Sequence, residues 1–501
     1  MSKEFVNAMF DSFNQTQTTN GAKAFKSTKS YVLDLFALGG ASRNLDENKI
    51  RNMVTYAIGE HLELAVRTIF YLGDVRGGQR ARRFFQIAMK ELVRIEPKRM
   101  EKVLHLIPEY TRWDMLYTFE GTSLEAKAFA VLAKEVADST IQNRPSLVFK
   151  WLKSIGTSSK ESVRLGRLTA KYFGLTEKDY RKLLVRGRQK LNLVESNMSQ
   201  NKWDKINFEH VPSLASLKYK KAFKKHNLVR YNKFLDAVMT GEAKMNMAVE
   251  FPHNIVAKYR HNSNSYGWNR RALSLDGTLE AAWKSLPNYM EGKTGSMFVM
   301  ADVSGSMDST LDSKTSVTAM DVSIALAIYT SEKMSGPFKN TFMTFSDSPA
   351  FVTLPDKATL QTKIEITEAA NWTSNTDIDK AMRKILDVAV TNRVKADQMP
   401  SMLAIVSDMQ FDGCAKISNL DTWRKEFNDQ GYELPNIVFW CVNAYENVAT
   451  TMNQKGVVLI SGYSPSILEE FFGMNISTPF DLMMKVVMKE RYNVVAKAFM
   501  L

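Results

Sequence analysis

The sequence predicts a multidomain protein in which a module of α-helical repeats precedes a doubly wound α/β domain. From about Ser30 to about His226, apolar residues recur at the spacing of helical faces, and glycine or proline interrupts the pattern at intervals. After Gly295 the pattern changes to short apolar runs that alternate with helical segments. A chain of 501 residues that is 45% hydrophobic and 24% charged can bury more than one substantial core.

We expect the helical module to span residues 31–295. Breaks such as Gly77 and Pro97 divide it into segments typical of antiparallel helix pairs, which commonly stack as a HEAT-like α-solenoid. The segment before it, residues 1–30, is polar and contains QTQTTNG at Gln15–Gly21. We therefore expect a flexible N-terminal arm there.

We expect the α/β domain to span residues 296–501. Its predicted strands are Met297–Ala301, Thr341–Phe345, Met402–Val406, Ile437–Val442 and Val457–Ile460. Its predicted helices are Asp321–Met334, Asp377–Val390, Leu420–Gln430, Ser466–Phe472 and Pro479–Phe499. Alternation of this kind predicts a mostly parallel sheet with helices on both faces.

Three polar clusters lie near the expected carboxyl ends of the strands, the edge at which open α/β sheets collect ligands. The clusters are Asp302 with Ser304 and Ser306, then Asn375 with Thr376 and Asp377, then Ser407 with Asp408. One carboxylate and two hydroxyls at alternate positions of the first cluster can converge on a single hard cation. The five expected oxygen ligands of Mg²⁺, or of another divalent cation, are Asp302, Ser304, Ser306, Thr376 and Asp408.

So few carboxylates would leave the ion with a net positive charge, able to accept an acidic residue of a protein partner. The alternative for each residue is structural. Asp302 could cap a turn, and Thr376 is well placed to be the N-cap of the helix that follows it.

The positive charge is concentrated in the first part of the chain. The net charge is +14, yet residues 296–501 contain 18 Lys and Arg against 24 Asp and Glu, which leaves 49 against 29 in residues 1–295. The densest basic segment is Lys150–Arg230, with 20 basic and 6 acidic residues. Such a distribution favours a polyanionic partner for the helical module.

The candidate nucleic-acid-binding residues are basic side chains that share helical faces or form clusters within this segment. They are Arg164, Arg167, Lys171, Arg181, Lys182, Arg186, Arg188, Lys218, Lys220, Lys221, Lys224 and Lys225. Trp151, Tyr172, Tyr180, Trp203 and Tyr219 are interleaved with them. Phosphate neutralisation combined with aromatic stacking is how single-stranded RNA or DNA is held. The alternative is a solvated basic face with the aromatic rings in the core.

Two further motifs combine charge with turn or aromatic residues. Arg76–Gly77–Gly78 precedes Arg80, Arg82 and Arg83 at an expected helix start, where exposed N–H groups favour anions, although the glycines also suit a plain turn. HLIPEYTRWD, residues 105–114, surrounds Pro108, and we interpret it as packing at a helix junction.

Several functional classes are disfavoured. The two cysteines, Cys414 and Cys441, form neither a disulfide framework nor a zinc motif, and no apolar run is long enough to span a membrane. We therefore expect a cytoplasmic protein with no membrane partner. The six histidines suggest no catalytic triad, so we expect no enzymatic activity. Metal-assisted hydrolysis at Asp302 is the enzymatic alternative.

The polar clusters resemble a known metal site. DVSGS at Asp302–Ser306, the loop of Thr376 and SDMQFD at Ser407–Asp412 are similar to the metal-ion-dependent adhesion site, or MIDAS, of von Willebrand factor A domains. The resemblance assigns Asp302, Ser304 and Ser306 to the first motif of that site, Thr376 to the second and Asp408 to the third.

A wider resemblance rests on longer motifs between about Leu64 and about Asp412. TIFYLGDVRGGQRARRFF, HLIPEYTRWD, KWDKINFEHVPSLASLKYKKAF, DVSGSM and SDMQFD resemble an uncharacterised family with a helical front half and a C-terminal A domain. That layout is similar to the Ro ribonucleoproteins, whose TROVE module is a ring of helical repeats followed by an A domain.

The Ro resemblance implies a ribonucleoprotein that binds small noncoding RNAs and single-stranded RNA ends. It rests on layout and charge, so no Ro contact residue is assigned to this chain. We expect a non-enzymatic RNA-binding protein whose Mg²⁺-dependent A domain recruits a partner. DNA and an acidic protein surface are the other candidate ligands of the basic face. The alternative function is a protein-interaction scaffold or ATPase adaptor that acts through the A domain without nucleic acid.

Overall fold

A computed structural model describes residues 9, 11–261, 273–311, 316–345, 348–370, 376–412, 420–473 and 477–501. The chain is rich in helices and contains a six-stranded mixed sheet in its C-terminal region. Two residues singled out in the sequence, Asn375 and Cys414, lie outside the described residues. Within the described residues, no helix is both long and apolar enough to cross a membrane.

Fifteen α-helices lie between Tyr31 and Lys284 in the described residues. They are α1 (Tyr31–Gly39), α2 (Glu47–Glu60), α3 (Leu62–Gly73), α4 (Arg82–Ile95), α5 (Pro97–Val103), α6 (Ile107–Tyr110), α7 (Glu125–Ile141), α8 (Val148–Trp151), α9 (Lys160–Tyr172), α10 (Glu177–Lys190), α11 (Val194–Ser199), α12 (Ser213–His226), α13 (Leu228–Thr240), α14 (Pro252–Arg260) and α15 (Gly277–Lys284). Shorter 3-10 helices lie at Leu104–Leu106, Trp113–Phe119, Trp203–Lys205 and Phe208–His210.

Local sequence explains how many of these helices begin and which face they bury. The side chain of Asp46 accepts a hydrogen bond from the backbone N–H of Asn48 and caps α2, which then buries Ile50, Val54 and Ala57. Neighbouring helices pack in the same way, since α2 contacts α1, α3 and α4. In α2, the face on which apolar residues recur at helical spacing is therefore the buried face.

The sheet contains strands β3 (Met297–Asp302), β4 (Thr341–Phe345), β5 (Ala350–Thr353), β6 (Met402–Ser407), β7 (Asn436–Cys441) and β8 (Val457–Ser461). Their spatial order is β5-β4-β3-β6-β7-β8. Every neighbouring pair is parallel except β4 and β5, which are antiparallel. The helices of this region are α16 (Ala319–Lys333), α17 (Leu360–Glu368), α18 (Ile378–Thr391), α19 (Leu420–Asp429), α20 (Leu468–Phe471), α21 (Pro479–Val487) and α22 (Glu490–Met500).

Helices cover both faces of the sheet. Met297, Val299 and Ala301 of β3 belong to the core that includes α16, whereas Phe298 and Met300 belong to the core that includes α18 and α19. Helix α16 is buried along nearly its whole length, because α14 packs on the side that faces away from the sheet. This arrangement is a three-layer α/β sandwich with an added helical layer.

The N-terminal segment differs from the flexible arm that we expected. It contains a hairpin of β1 (Gln15–Gln17) and β2 (Lys23–Phe25) that lies against the C-terminal region. The Thr18 hydroxyl donates to the carbonyl of Phe411 (2.6 Å), and Phe25 exchanges backbone hydrogen bonds with Val448 (2.9–3.0 Å). Tertiary contacts therefore order a stretch whose polar composition predicted a loop.

The two halves of the chain are interleaved in space. The C-terminal helix α22 packs against α3 and α5 of the first half, and its Arg491 guanidinium lies 2.9 Å from Oδ1 of Asp74. Helix α14 contacts α16 through Arg260, which pairs with Asp321 and with Glu368 (2.7 Å). One continuous apolar core includes residues of both halves. The predicted boundary near residue 295 therefore separates two sequence patterns, but the residues on its two sides pack against each other in the structure.

Candidate functional site

The candidate metal centre lies where β3 and β6 end side by side. The two strands are parallel neighbours, with Ala301 opposite Val406, so Asp302 and Asp408 leave the sheet at the same edge. All residues of both strands are buried, and a polar side chain at their ends is held away from solvent. The expected meeting of the first and third clusters is what the structure contains.

Hydrogen bonds fix the first of these carboxylates. Oδ1 of Asp302 accepts from the backbone N–H of Ser304 (2.9 Å), and Oδ2 accepts from the hydroxyl of Ser407 (2.5 Å). The hydroxyls of Ser304 and Ser306 lie 3.3 Å apart, and the Ser306 hydroxyl partly offsets the rise that burial causes in the pKa of Asp408. Four of the five expected ligands therefore form one connected cluster.

Thr376, the fifth expected ligand, is held by Asp412, which follows Asp408 by four residues. The backbone N–H of Thr376 donates to Oδ2 of Asp412 (2.6 Å), and the backbone N–H of Asp412 donates to the carbonyl of Thr376 (3.1 Å). Thr376 is 1% exposed. It does not form the N-cap that its position suggested, since Asp377 caps α18 instead.

Two buried oxygens of this site lack a hydrogen-bond partner among the described residues. They are Oγ1 of Thr376 and Oδ2 of Asp408. Burial, with the repulsion of Asp408, raises the pKa of Asp302, and burial raises the pKa of Asp408 as well. Buried polar atoms normally have partners, and a buried carboxylate normally has a cation. The arrangement therefore fits a bound cation.

The donor set indicates which kind of cation fits. It consists of the carboxylate oxygens of Asp302 and Asp408 and the hydroxyl oxygens of Ser304, Ser306 and Thr376. Hard oxygen donors suit Mg²⁺ or Ca²⁺ better than zinc, which favours nitrogen and sulfur.

Sequence reasoning assigned no role to two supporting residues of this site. Ser407 orients Asp302, and Asp412 positions Thr376. Both belong to the segment SDMQFD, in which only Asp408 was assigned a role. The available signal was that polar residues cluster directly after a strand that is buried throughout.

The basic helices form the second candidate site, and the structure divides their twelve candidate residues into two groups. Five are engaged within the chain, namely Arg164, Arg167, Arg188, Lys220 and Lys224. Seven are exposed and form no ion pair with the described residues, namely Lys171, Arg181, Lys182, Arg186, Lys218, Lys221 and Lys225.

The engaged group has structural partners. Arg164 pairs with Glu161 and Glu120, and Lys220 lies 2.5 Å from Asp276. Arg188 donates to the carbonyls of Phe149 and Leu152, each at 2.9 Å. These side chains hold helices together, so they are weaker candidates for contact with nucleic acid.

Six residues of the exposed group lie on two helices whose opposite faces are buried, and the seventh, Lys171, lies near the end of α9. On α12, Lys218, Lys221 and Lys225 recur at helical spacing, whereas Leu217 and Phe223 are buried. We call these three lysines the α12 stripe.

On α10, Arg181, Lys182 and Arg186 are exposed, whereas Tyr180 and Leu184 are buried. We call these three residues the α10 face. Gly187 fixes the packing of this helix, because a Cβ there would lie 2.2 Å from the ring of Phe149.

The interleaved aromatic residues mostly serve packing. Tyr180 is fully buried, and the ring of Tyr172 stacks on Phe129 with centroids 4.4 Å apart. The ring of Trp203 stacks on His226 at 4.2 Å, and Trp151 lies beneath the guanidinium of Arg112 at 4.1 Å. The alternative expectation, that these aromatic rings pack within the protein and do not stack on bases, therefore fits these residues.

Comparisons with known proteins relate both halves of the chain to other sequences. Residues 149–296 match a domain of unknown function, DUF2828, and residues 296–497 match another, DUF7788. Uncharacterized protein L728 of Acanthamoeba polyphaga mimivirus is 25% identical over 521 residues, which cover 95% of this chain and 87% of that protein. Neither domain is described as a von Willebrand factor A domain, so that resemblance stays a prediction.

A solved structure also aligns with the chain. The crystal structure of the Deinococcus radiodurans RO (RSR) protein aligns with 92% of this chain and 99% of its own, at 11% identity and a TM-score of 0.35. Such a low TM-score does not establish a common fold. The site must therefore be interpreted from its own residues.

Proposed function

We propose that the chain is a non-enzymatic RNA-binding protein that holds single-stranded or small noncoding RNA on the α12 stripe and the α10 face. The observation that carries this proposal is that these cations are exposed and have no carboxylate partner among the described residues. Their charge is free to neutralise phosphates and release counterions. Because most of the aromatic rings are packed within the protein, we expect the affinity to come mainly from contacts between these cations and the phosphates of the RNA.

The test is a fluorescence anisotropy titration of a single-stranded RNA with the wild type and with Lys218→Glu/Lys221→Glu/Lys225→Glu. We expect the triple variant to lose at least about tenfold in affinity. The wild-type affinity should fall with salt with a slope of about −0.7 per phosphate contact. Duplex DNA and single-stranded DNA serve as competitors that test the preference for RNA.

A matched control reverses the same number of charges elsewhere on the helical module. Lys98, Lys102 and Lys134 are exposed and form no ion pair with the described residues. The triple change of these residues to Glu should alter affinity much less than the change of the α12 stripe. Equal losses in both variants, or affinity that is flat with salt, would contradict an RNA site on α12.

We further propose that Asp302, Ser304, Ser306, Thr376 and Asp408 hold Mg²⁺ or a similar divalent cation in an A-type domain. The proposal is supported by the two buried oxygens without partners, Oδ2 of Asp408 and Oγ1 of Thr376. The ion, when bound, would supply a positive charge that an acidic residue of a protein partner can coordinate. The five side chains would orient the ion and exclude water from its inner side.

Calorimetric titration of Mg²⁺ into the wild type and Asp302→Ala tests the metal proposal. We expect heat of binding from the wild type and at least a hundredfold weaker binding in the variant, because a ligand is removed. Identical titration curves would contradict it.

The two titrations also test the main alternative, a scaffold or ATPase adaptor that acts through the A-type domain. That function predicts metal binding without salt-dependent RNA binding. A nuclease assay with Mg²⁺ completes the comparison, because RNA cleavage that disappears in Asp302→Ala would show enzymatic activity.

A further inference from the structure

A cleft in the helical module brings together the two motifs that the sites above leave unused. It encloses about 410 Å³, within the range of small-ligand sites. One wall is the start of α4, which follows the Arg76–Gly77–Gly78 turn, and another is the 3-10 helix Trp113–Phe119 at the end of HLIPEYTRWD. Lys153, which follows α8, closes the third side.

At the base of the cleft, three cations share one carboxylate. Asp114 has a side chain that is 3% exposed. It lies 2.8 Å from Arg82, accepts two hydrogen bonds from Arg112 (2.9 and 3.0 Å), and lies 3.6 Å from Lys153. The cluster therefore has a formal charge of +2. Neighbouring cations with too few anions repel one another, and an added anion would offset that cost.

The rest of the wall adds positive charge. Arg83 and Lys90 line the cleft without an ion pair among the described residues, and Nη1 of Arg83 is held by backbone carbonyls, of which that of Leu45 is the nearest at 2.7 Å. Arg82, Gln86 and Lys90 follow one another at four-residue intervals, so they lie in a row along one side of α4.

The remaining acidic residues of the wall are already engaged. Glu47 pairs with Arg51, and both Glu120 and Glu161 pair with Arg164. Two arginines therefore offset two of these three negative charges, and one remains beside Arg164. The cleft keeps an excess of positive charge, mostly on the α4 side.

We propose that this cleft binds a phosphate monoester, either the terminal phosphate of a nucleic acid strand or that of a free mononucleotide. The formal +2 of the Asp114 cluster matches a phosphate dianion better than a backbone diester, which carries one negative charge. Arg82 and Lys153 keep side chains that are 47% and 29% exposed, so their N–H groups can reach a ligand. Asp114 and Arg112 act as positioning residues, because Arg112 is held by Asp114 and by the ring of Trp151.

The proposal goes beyond RNA binding by the α12 stripe, because it concerns different residues and a different chemical group. RNA that has hydroxyl groups at both ends tests the α12 stripe alone. The difference between phosphorylated and unphosphorylated RNA of the same sequence tests the cleft alone. Failure of one proposal is therefore distinguishable from failure of the other.

The experiment measures binding of one short single-stranded RNA in three forms, with a 5′-phosphate, with a 3′-phosphate, and with hydroxyls at both ends. Free AMP is titrated in parallel. We expect the full-length wild type to prefer at least one phosphorylated form by about tenfold, the scale of charge-assisted hydrogen bonds. In Arg82→Gln/Lys90→Gln the preference should fall below about twofold, while Arg112 and Lys153 still neutralise Asp114.

Lys98→Gln/Lys102→Gln is the matched control, because it removes the same charge from exposed positions outside the cleft. It should keep the preference, and thermal melting should show that both double variants fold. Weak competition by AMP would assign the site to a strand end, and equal competition would assign it to a free nucleotide. Absence of any preference together with no AMP binding, or a preference that survives Arg82→Gln/Lys90→Gln, would overturn the proposal.

Discussion

The candidate metal centre and the basic helices differ in how clearly their residues indicate a function. At the candidate metal centre the polar groups are buried, so each needs a partner, and two oxygens lack one among the described residues. On α10 and α12 the charges are exposed and water satisfies them, so a functional lysine looks like any other. A buried polar residue without a partner therefore indicates a missing ligand, whereas an exposed charged residue does not by itself indicate a function.

A second buried carboxylate of the same domain sharpens this contrast. Asp321, at the start of α16, is fully buried, and Arg260 and His261 of the helical region contact both of its oxygens. Asp408 is equally buried, yet no cation of the described residues contacts it. The chain supplies a counter-charge to Asp321, whereas the described residues supply none to Asp408.

The largest predicted effect is on the carboxylate that the chain itself neutralises. Asp321→Ala leaves the buried Arg260 with only part of its counter-charge and removes the capping interaction with Thr318. We expect the free energy of unfolding to fall by about 3–5 kcal/mol, measured by urea denaturation. Asp356→Ala is the control, since Asp356 pairs with Lys339 at an exposed position and should leave stability nearly unchanged. Similar losses of stability in both variants would show that burial of the carboxylate does not determine the cost of removing it.

The second prediction concerns the carboxylate without a cation. Asp408→Asn should weaken Mg²⁺ binding at least about a hundredfold, and in metal-free buffer it should raise the melting temperature. The rise follows because a neutral amide is less costly to bury than a charge. Differential scanning calorimetry with EDTA and with Mg²⁺ measures both effects. Asp387→Asn, an exposed change on α18, should alter neither. A metal-free Asp408→Asn that melts below the wild type would show that the chain already satisfies this carboxylate.

The free energy of unfolding should depend on pH differently in the wild type and in Asp321→Asn, which has a neutral side chain at this position. Asp321 loses solvation on burial, but His261 and Arg260 outweigh that cost and hold its pKa below its usual range. A carboxyl group whose pKa is lower when folded contributes stability above its unfolded pKa of about 3.9, and this stability is lost as pH falls further. The stability gap between the wild type and Asp321→Asn should therefore narrow as pH falls below about 4. A gap that widens below this pH would contradict the sign.

The sequence predicted the parts of the fold that depend on local pattern. The five predicted strands coincide with β3, β4, β6, β7 and β8 to within a residue or so at each end. The edge strand β5 was missed, because only four residues of half-exposed sequence form it and its partner β4 supplies the pairing. Helix α17 was missed because its β-branched residues disfavour a helix, and burial of Ile364 against the core overrides that preference.

The long-range contacts could not be read from the sequence. The polar hairpin of β1 and β2 exists through contacts with residues nearly 400 positions away, such as Phe411. The pairing of Lys220 with Asp276 likewise removes one expected RNA contact from the free surface. Spacing along the chain predicted that Asp302 and Asp408 leave the sheet at the same edge, because parallel neighbouring strands end side by side. Spacing carries no information on which exposed charges find a partner in another helix.

The smallest predicted effect tests this last point with two arginines on adjacent helices. Arg186 on α10 is exposed and forms no ion pair with the described residues, whereas Arg167 on α9 lies 2.9 Å from Glu177. Arg186→Gln should weaken RNA binding about threefold and reduce the salt slope by about 0.7, the loss of one phosphate contact. Arg167→Gln removes the same charge but should leave the slope unchanged, because that guanidinium is already neutralised. Equal slopes for the two variants would mean that net charge, and not the availability of individual cations, governs binding.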